Sequence, residues 1–366
     1  MHLRKMLGIT FFLFVATTVY NPFVHIFYQI FHTNPQIRIT TKDSHVIPKT
    51  EPYWVEVKTD RNINQMTAEL SDVVQEKDME ENMLVSTSLP EKYICFRSDE
   101  EWPNRMFMLA SSYGIAKRFN MTVITKPDIL PFFEMDVTNS LIRFLNDTSI
   151  CKKATIFREL KADRFDDRIL KFKSKPQIYM DGFFQSWKYF ANAEMELRAL
   201  FQFDEWLVYR AEEKLESIKN DIYLAQQEPK DLIFVGIHMQ RKRFAKNGTE
   251  TMASKSYFYN AMKFFVVHFN HVIFVACSDT PGLAEENLPE FVHFVHNTDP
   301  VFQMCLLTRC NHTIMSPGAF EWWASWLADG ITTYFQSPVK EKEIKQEEFN
   351  TSMSDYYWPN WIPIFA

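Results

Sequence analysis

Leu232-Ile-Phe-Val-Gly-Ile-His238-Met-Gln240-Arg241-Lys242-Arg243 is an apolar run of strand length that opens abruptly into basic residues. A strand apolar on both faces belongs to a parallel sheet covered on both sides. The same pattern continues downstream. Lys255–Phe269 has helical spacing, Val272–Cys277 is a second apolar run, Pro281–Asn287 opens a short helix, and Val292–His296 reads as a strand. Pro300–Thr308 is helical, Thr313–Met315 strand-like, Gly318–Ala328 helical and Ile331–Phe335 a strand. Strands alternating with helices predict a doubly wound α/β domain. Upstream, Tyr93–Phe96, the helical stretch Asn104–Phe119 and Met121–Ile124 begin another such unit, and Gln177–Met180 is strand-like. Residues 190–225, rich in Glu, Leu and Ala, read as one long joining helix. The expected architecture is α/β: two Rossmann-like domains with a cleft between them, and ligands beyond the carboxyl ends of the strands.

Composition agrees with a chain that builds a sizeable core. Of 366 residues, 46% are hydrophobic and 23% charged, which excludes disorder throughout and a disulfide miniprotein. The formal net charge of −6 argues against capture of bulk nucleic acid. Aromatics reach 16%, with 34 Phe, while there are only 8 Gly. A fold that holds nucleotides on glycine-rich loops therefore has few glycines to place.

The N-terminus carries a topological signal. Arg4 and Lys5 precede the apolar run Met6–Tyr20, followed after Asn21-Pro22 by the aromatic stretch Phe23–Phe31. Together these reach the roughly 20 residues a spanning helix needs, and the basic side faces the cytoplasm. A cleaved signal peptide with its apolar region at Leu7–Val19 is the competing reading, but no small-x-small cleavage site follows. The expected organisation is a tail at 1–5, a signal-anchor at 6–31, a polar stem at 32–90, a first α/β domain at 91–225 and a second, Rossmann-like domain at 226–366. Lumenal placement fits five N-glycosylation sequons, at Asn120, Asn146, Asn247, Asn311 and Asn350. The five cysteines, Cys95, Cys151, Cys277, Cys305 and Cys310, suit two disulfides and one free thiol, and none shows zinc-ligand spacing.

Three stretches carry candidate chemistry. Arg241, Lys242 and Arg243 fall in the loop after a strand, where guanidinium forks suit a diphosphate; a solvated basic turn is the alternative. Asp181-Gly-Phe-Phe-Gln-Ser-Trp-Lys-Tyr-Phe190 combines a turn glycine with Gln185, Ser186 and Lys188, to be weighed against an aromatic core turn. Cys310-Asn-His312-Thr-Ile-Met-Ser316-Pro-Gly318-Ala-Phe320-Glu-Trp322-Trp323 ends a strand and starts a helix, whose free N–H groups suit an anion. Ser316 is placed there as cap or phosphate donor, and Trp322 and Trp323 as packing residues.

In combination these stretches resemble the galactoside α-1,2-fucosyltransferases of glycosyltransferase family 11. His238 and Arg241 match that family's His-x-Arg-Arg-x-Asp motif, with Gln240 at the first Arg and Arg243 at the Asp. Gly182 to Phe190 match Gly-x-Phe-Gln-Ser-x-Lys-Tyr-Phe, and Ser278-Asp279 a Ser-Asp strand end. Cys310, His312, Ile314, Ser316, Phe320, Trp322 and Trp323 match the late block, and Asn104-Arg-Met-Phe107 echoes the early glycine block. There Glu101-Trp-Pro103 stands where glycines are expected, and Pro317-Gly-Ala319 replaces a hydroxyl-bearing Asn-Ser-Ser/Thr. The resemblance covers about residues 92–362. It implies a GT-B-like, type II Golgi membrane enzyme that transfers L-fucose from GDP-β-L-fucose to the 2-hydroxyl of a galactoside, with inversion and without a metal or other cofactor. Donor contacts are then expected from His238, Arg241, Lys242, Arg243, Ser278, Ser316, Gly318 and Asn104, with Glu250 or Asp279 as the base. A glycan-binding protein of the same fold without catalysis, or a transferase using another donor, is the alternative reading.

Overall fold

A computed structural model describes residues 38–39, 57–58, 89–135, 141–226, 231–240, 253–280, 282–297, 299–336 and 353–365. The expected tail and anchor at 1–31 lie outside these residues, as does nearly all of the stem. The chain divides into two units, Met1–Leu89 and Pro90–Ala366. In the first, β1 (Arg38–Ile39) pairs antiparallel with β2 (Val57–Lys58).

The second unit contains two all-parallel sheets. One comprises β3 (Tyr93–Phe96), β4 (Thr122–Thr125), β5 (Ile142–Phe144), β6 (Thr155–Arg158) and β7 (Gln177–Asp181), in the order β5-β4-β3-β7-β6. The other comprises β8 (Ile233–Met239), β9 (Val272–Ser278), β10 (His293–Phe294), β11 (His312–Met315), β12 (Thr332–Phe335) and β13 (Ile362–Ile364), in the order β10-β9-β8-β11-β12-β13. Every pairing in it is parallel. Counted from β8, the order is 3-2-1-4-5-6, the Rossmann arrangement, with its reversal between β8 and β11. The apolar runs that suggest strands fall on β3, β4, β7, β8, β9, β10, β11 and β12, within two residues at each end.

Helix α1 (Trp102–Phe119) follows β3 and is buried over nearly its whole girth from Met106 to Ala116. It starts with Pro103 in its first turn, a position where the missing N–H costs nothing. Asn120 ends it in the left-handed conformation, with φ 53°. Among the described residues the other α-helices are α2 (Glu194–Leu200), α3 (Glu205–Gln226), α4 (Lys255–His268), α5 (Leu283–Asn287), α6 (Pro300–Thr308) and α7 (Ala319–Ala328). The single long helix expected over 190–225 is thus broken at 201–204. Phe201 and Phe203 turn into the core against Phe133, and Phe203 forms a β-bridge with it. Burying these rings and pairing the backbone outweighs helix continuity.

An aromatic layer joins α1 to α7. Trp322 and Trp323 have no exposed surface, and each lies 4.8 Å, ring to ring, from Phe107. Phe190 stacks on Trp323 at 5.8 Å, and Trp361 closes on Trp322 at 5.3 Å. The turn carrying Phe190 reaches α1 because of Gly114: a Cβ there would stand 2.3 Å from Tyr189 O. The 182–190 stretch therefore resolves as core, and it anchors the C-terminal segment. Ser186 Oγ donates to Asp355 O (2.6 Å), Trp187 Nε1 donates to Ser354 O (2.9 Å), and Lys188 pairs with Asp355.

Only one disulfide forms, Cys95–Cys151, in place of the two expected. Cys277, Cys305 and Cys310 are buried free thiols; burial pushes Cys277 and Cys305 up to about 12 and raises Cys310 as well. They are packing residues with no reactive thiolate at neutral pH.

At the carboxyl edge of the first sheet, Glu159 holds the turn after β7. Its Oε2 accepts from Phe183 N (2.8 Å) and Phe184 N (2.9 Å), and a Cβ at Gly182 would stand 2.6 Å from that oxygen. Burial pushes the carboxyl up to about 9; the two N–H donors oppose this, and Asp163 and Asp166 add to it.

Two outcomes follow from this packing. Trp323→Ala should cost about 3–5 kcal/mol and lower the urea midpoint of the whole 90–366 unit in one transition; a change confined to one half would contradict the shared layer. For Glu159, the folded chain keeps a proton that the unfolded chain loses above its ordinary value of 4.5, so the stability from this group declines as pH rises toward about 9. Glu159→Gln stays neutral, so its thermal midpoint should gain on the native chain between pH 5 and pH 9. A pH-independent difference would contradict the assignment.

Candidate functional site

The reversal between β8 and β11 brings together the loops after both strands. β8 delivers His238 and then Gln240 to the carboxyl edge, and β11 delivers Ser316, Pro317 and Gly318 ahead of α7. β9, on the other flank of β8, ends at Ser278.

His238 stands at the centre and is 4% exposed. Its Nδ1 lies 2.7 Å from Glu321 Oε1 and its Nε2 3.2 Å from Gln303 Oε1, with Phe320 against the ring at 4.2 Å. Gln303, on α6, fixes the protonation pattern. Its NH2 donates to Ser278 O (2.9 Å) and to Asn297 O, so its oxygen must face the imidazole. His238 Nε2 therefore carries a hydrogen, and Nδ1 shares one further proton with the Glu321 carboxylate. With both nitrogens committed to acceptors, the ring holds the ends of β8, β9 and α7 in register and has no free lone pair for substrate.

Ser316 Oγ donates to His238 O at 2.8 Å, clipping the ends of β8 and β11 together. It does not cap α7, which corrects that expectation. The N-cap is Gly318, at φ 150°, with no side-chain cap bond. Glycine is required there twice over: the backbone conformation disfavours a side chain, and a Cβ would stand 2.2 Å from Glu321 Oε2 and 3.4 Å from Gln240 Oε1. Both of those oxygens are buried and, among the described residues, have no hydrogen-bond partner.

The other expected site residues disperse. Asn104 lies in the first turn of α1, and its Oδ1 accepts from Gln185 Nε2 at 2.7 Å. Ser278 Oγ accepts from Thr280 N at 3.1 Å, and Asp279 accepts from Thr280 Oγ1 at 2.8 Å while its own N–H donates to Met239 O. Asp279 thus stays at the edge beside β8. Arg241, Lys242, Arg243 and Glu250 lie outside the described residues. A small cavity of about 50 Å³ sits beyond β9 and β10, lined by Ser278, Thr280, Gly282, Glu285 and His296 among others. His296 and Glu285 pair across it at 3.1 Å. Among the described residues, no cluster of three or more metal-ligating side chains forms.

Glu321 and Gln303 were not singled out from the sequence, yet they organise the edge. The signal was there: each is a polar residue inside an otherwise apolar helical stretch, Phe320-Glu-Trp-Trp and Val301-Phe-Gln-Met304. A buried charge or amide at such a place requires a partner.

Comparison with known proteins places this geometry. The model of the family described as "Glycosyl transferase family 11" matches residues 96–365. Galactoside alpha-(1,2)-fucosyltransferase 1 of Saimiri boliviensis boliviensis is 28% identical over 206 residues, 52% of this chain and 53% of the relative. The protein of the same name from Leontocebus fuscicollis is 27% identical over 228 residues, 58% of this chain and 60% of the relative. The chain thus spans between half and three-fifths of the length of these relatives. Among solved structures, fucosyltransferase NodZ from Bradyrhizobium overlaps 64% of this chain and 93% of its own, at 14% identity and a TM-score of 0.41. With the family model matched over both parallel sheets, from the end of β3 to beyond β13, the chain belongs to glycosyltransferase family 11.

Proposed function

We propose that this chain is a galactoside 2-α-L-fucosyltransferase that uses GDP-β-L-fucose as donor. The observation that carries the reading is the family match across both sheets, together with His238, which matches the family's motif, at the reversal of a 3-2-1-4-5-6 sheet. Ligands of such sheets lie at that reversal. The name shared by these relatives supports a galactoside acceptor and an α-(1,2) linkage.

In the proposed reaction the acceptor 2-hydroxyl oxygen attacks the anomeric carbon of fucose from the face opposite GDP. The bond from that carbon to the β-phosphate oxygen breaks, GDP leaves with the electron pair, and the configuration inverts. A base takes the hydroxyl proton; Asp279, beside the end of β8, and Glu250 are the candidates. Arg241, with Lys242 or Arg243, neutralises the leaving diphosphate as charge develops on it. His238 holds the ends of β8 and α7 in place, since its ring nitrogens are already committed. No metal is called for in this scheme.

We further propose a type II Golgi membrane placement. Arg4 and Lys5 ahead of Met6–Tyr20 support it, as does the Cys95–Cys151 disulfide, which suits an oxidising lumen. The sequon residues Asn120, Asn146 and Asn311 are exposed. Among the described residues no helix is long and apolar enough to cross a membrane; the anchor expected at 6–31 is outside them.

A glycan-binding role without transfer is the second reading. It is favoured by Gln240 at the family's first arginine and by unpartnered acceptors where phosphate donors are expected. Incubating the detergent-solubilised full chain with GDP-fucose and a β-galactoside separates the two. The enzyme reading expects a product carrying α-1,2-linked fucose, with kcat/KM falling about 10–100-fold in Arg241→Ala, as for a lost charge-assisted contact. Neither turnover nor GDP binding, with galactoside binding retained, would overturn it.

A further inference from the structure

Arg105, in the first turn of α1, carries a guanidinium that the fold itself does not use. Five arginines among the described residues are part-buried: Arg97, Arg105, Arg143, Arg168 and Arg198. Arg97 pairs with Asp99, Glu100 and Asp181, Arg168 with Asp166, and Arg198 with Glu194 and Asp329. Arg143 is engaged as well. Arg105 alone of the five has no hydrogen-bond, ion-pair or ring partner for its side chain among the described residues, and its Nε is buried. A guanidinium held partly out of water without an acceptor is costly, and a ligand that brings acceptors recovers that cost. The side chain keeps surface that a ligand can reach, since the residue is only part-buried.

The place of Arg105 in the fold says which ligand. Helix α1 follows β3, so its start lies at the carboxyl edge of the first sheet. Helical side chains lean toward the N-terminus, so Arg105 extends back over that edge. Residues three apart share a helix face. Trp102, three before Arg105, meets Phe320 of α7 edge-on at 5.7 Å. Phe320 in turn lies against His238 at 4.2 Å. The first turn of α1 thus approaches the first turn of α7 at the reversal between β8 and β11. It contains no acidic residue, and Glu101 at its N-cap makes no side-chain cap bond.

We infer that Arg105 binds the diphosphate of the nucleotide sugar from the side of the first sheet. It supplies a guanidinium to a site where Gln240, on the second sheet, stands in place of the family's first arginine. A guanidinium fork donates to two oxygens at once and stays charged, which suits a diphosphate in both the bound donor and the leaving GDP. The inference rests on the proposed GDP-fucose reading for the nature of the anion. The unpaired arginine at this edge does not depend on it.

The test uses the detergent-solubilised full chain in native, Arg105→Met and Arg105→Lys forms. Methionine keeps an apolar stem for packing and removes the charge. Because no described group pairs with the guanidinium, Arg105→Met without ligand should melt at the native temperature or above it. A lowered midpoint, or a variant that does not fold, would make Arg105 a structural residue and overturn the inference. Calorimetric titration should show the Kd for GDP raised about tenfold or more in Arg105→Met, as for one lost charge-assisted contact, with a smaller rise in Arg105→Lys. The Kd for a β-galactoside should stay within about twofold of the native value by the same measure. An unchanged Kd for GDP would overturn the inference. A weakened galactoside with GDP binding intact would also overturn it, by placing the arginine on the acceptor. If the native chain binds no GDP, the GDP-fucose reading fails separately, and inorganic pyrophosphate becomes the probe. Pyrophosphate binding that weakens in Arg105→Met then upholds the diphosphate site, whereas equal binding in both chains, or none in either, overturns it.

Discussion

Helix α7 is the part on which the rest of the unit depends. Its Trp322 and Trp323 are wholly buried against Phe107 of α1 and Phe190 of the 182–190 turn, which ties the two parallel sheets through one aromatic layer. The same helix carries Glu321 in its first turn, paired with His238 at the end of β8. A rotation of α7 sufficient to part Glu321 from His238 would also lift the tryptophans from Phe107. Core packing and site geometry are thus one constraint, and the abundance of aromatic residues acquires a purpose: large flat rings fill the layer where a glycine-rich chain would bring backbones together.

The edge built around His238 favours rigidity. Gln303 bonds the imidazole with its oxygen and the ends of two other segments, at Ser278 and Asn297, with its NH2. Ser316 adds a clip from β11 to β8. Buried hydrogen bonds of this kind favour one arrangement of the strand ends. Among the described residues, the buried oxygens of Glu321 and Gln240 have no partner, and neither do Trp323 Nε1 and Trp326 Nε1 on the same helix.

Much of the fold was legible in the sequence because buried parallel strands are nearly continuous apolar runs; β8, β9 and β11 could be read with little ambiguity. The edge elements were not. β5, β6 and β13 are three or four residues long, and β6 is largely exposed, so they lack the pattern. The break at 201–204 depends on Phe201 and Phe203 meeting Phe133, nearly 70 residues away, which no local propensity encodes. The Cys95–Cys151 pairing likewise follows from β3 meeting the segment after β5. Of the site, the positions of His238, Ser278, Asp279, Ser316 and Gly318 at strand ends followed from strand–helix alternation. Their roles did not, because a hydroxyl such as that of Ser316 is used by whichever acceptor the fold presents, here His238 O. The scarcity of glycine was informative in a narrower way: Gly114, Gly182 and Gly318 each stand where a Cβ would collide, and two of them shape the edges of the sheets.

The central claim is that the reversal between β8 and β11 is where the nucleotide sugar binds. Hydrogen–deuterium exchange of the full chain with and without saturating GDP-fucose tests it most directly. The account predicts slowed exchange at the end of β8 and across Ser316–Glu321, with the outer strands β5 and β6 unchanged. Protection confined to the first sheet, or GDP-fucose bound with no change at Ser316–Glu321, would contradict it.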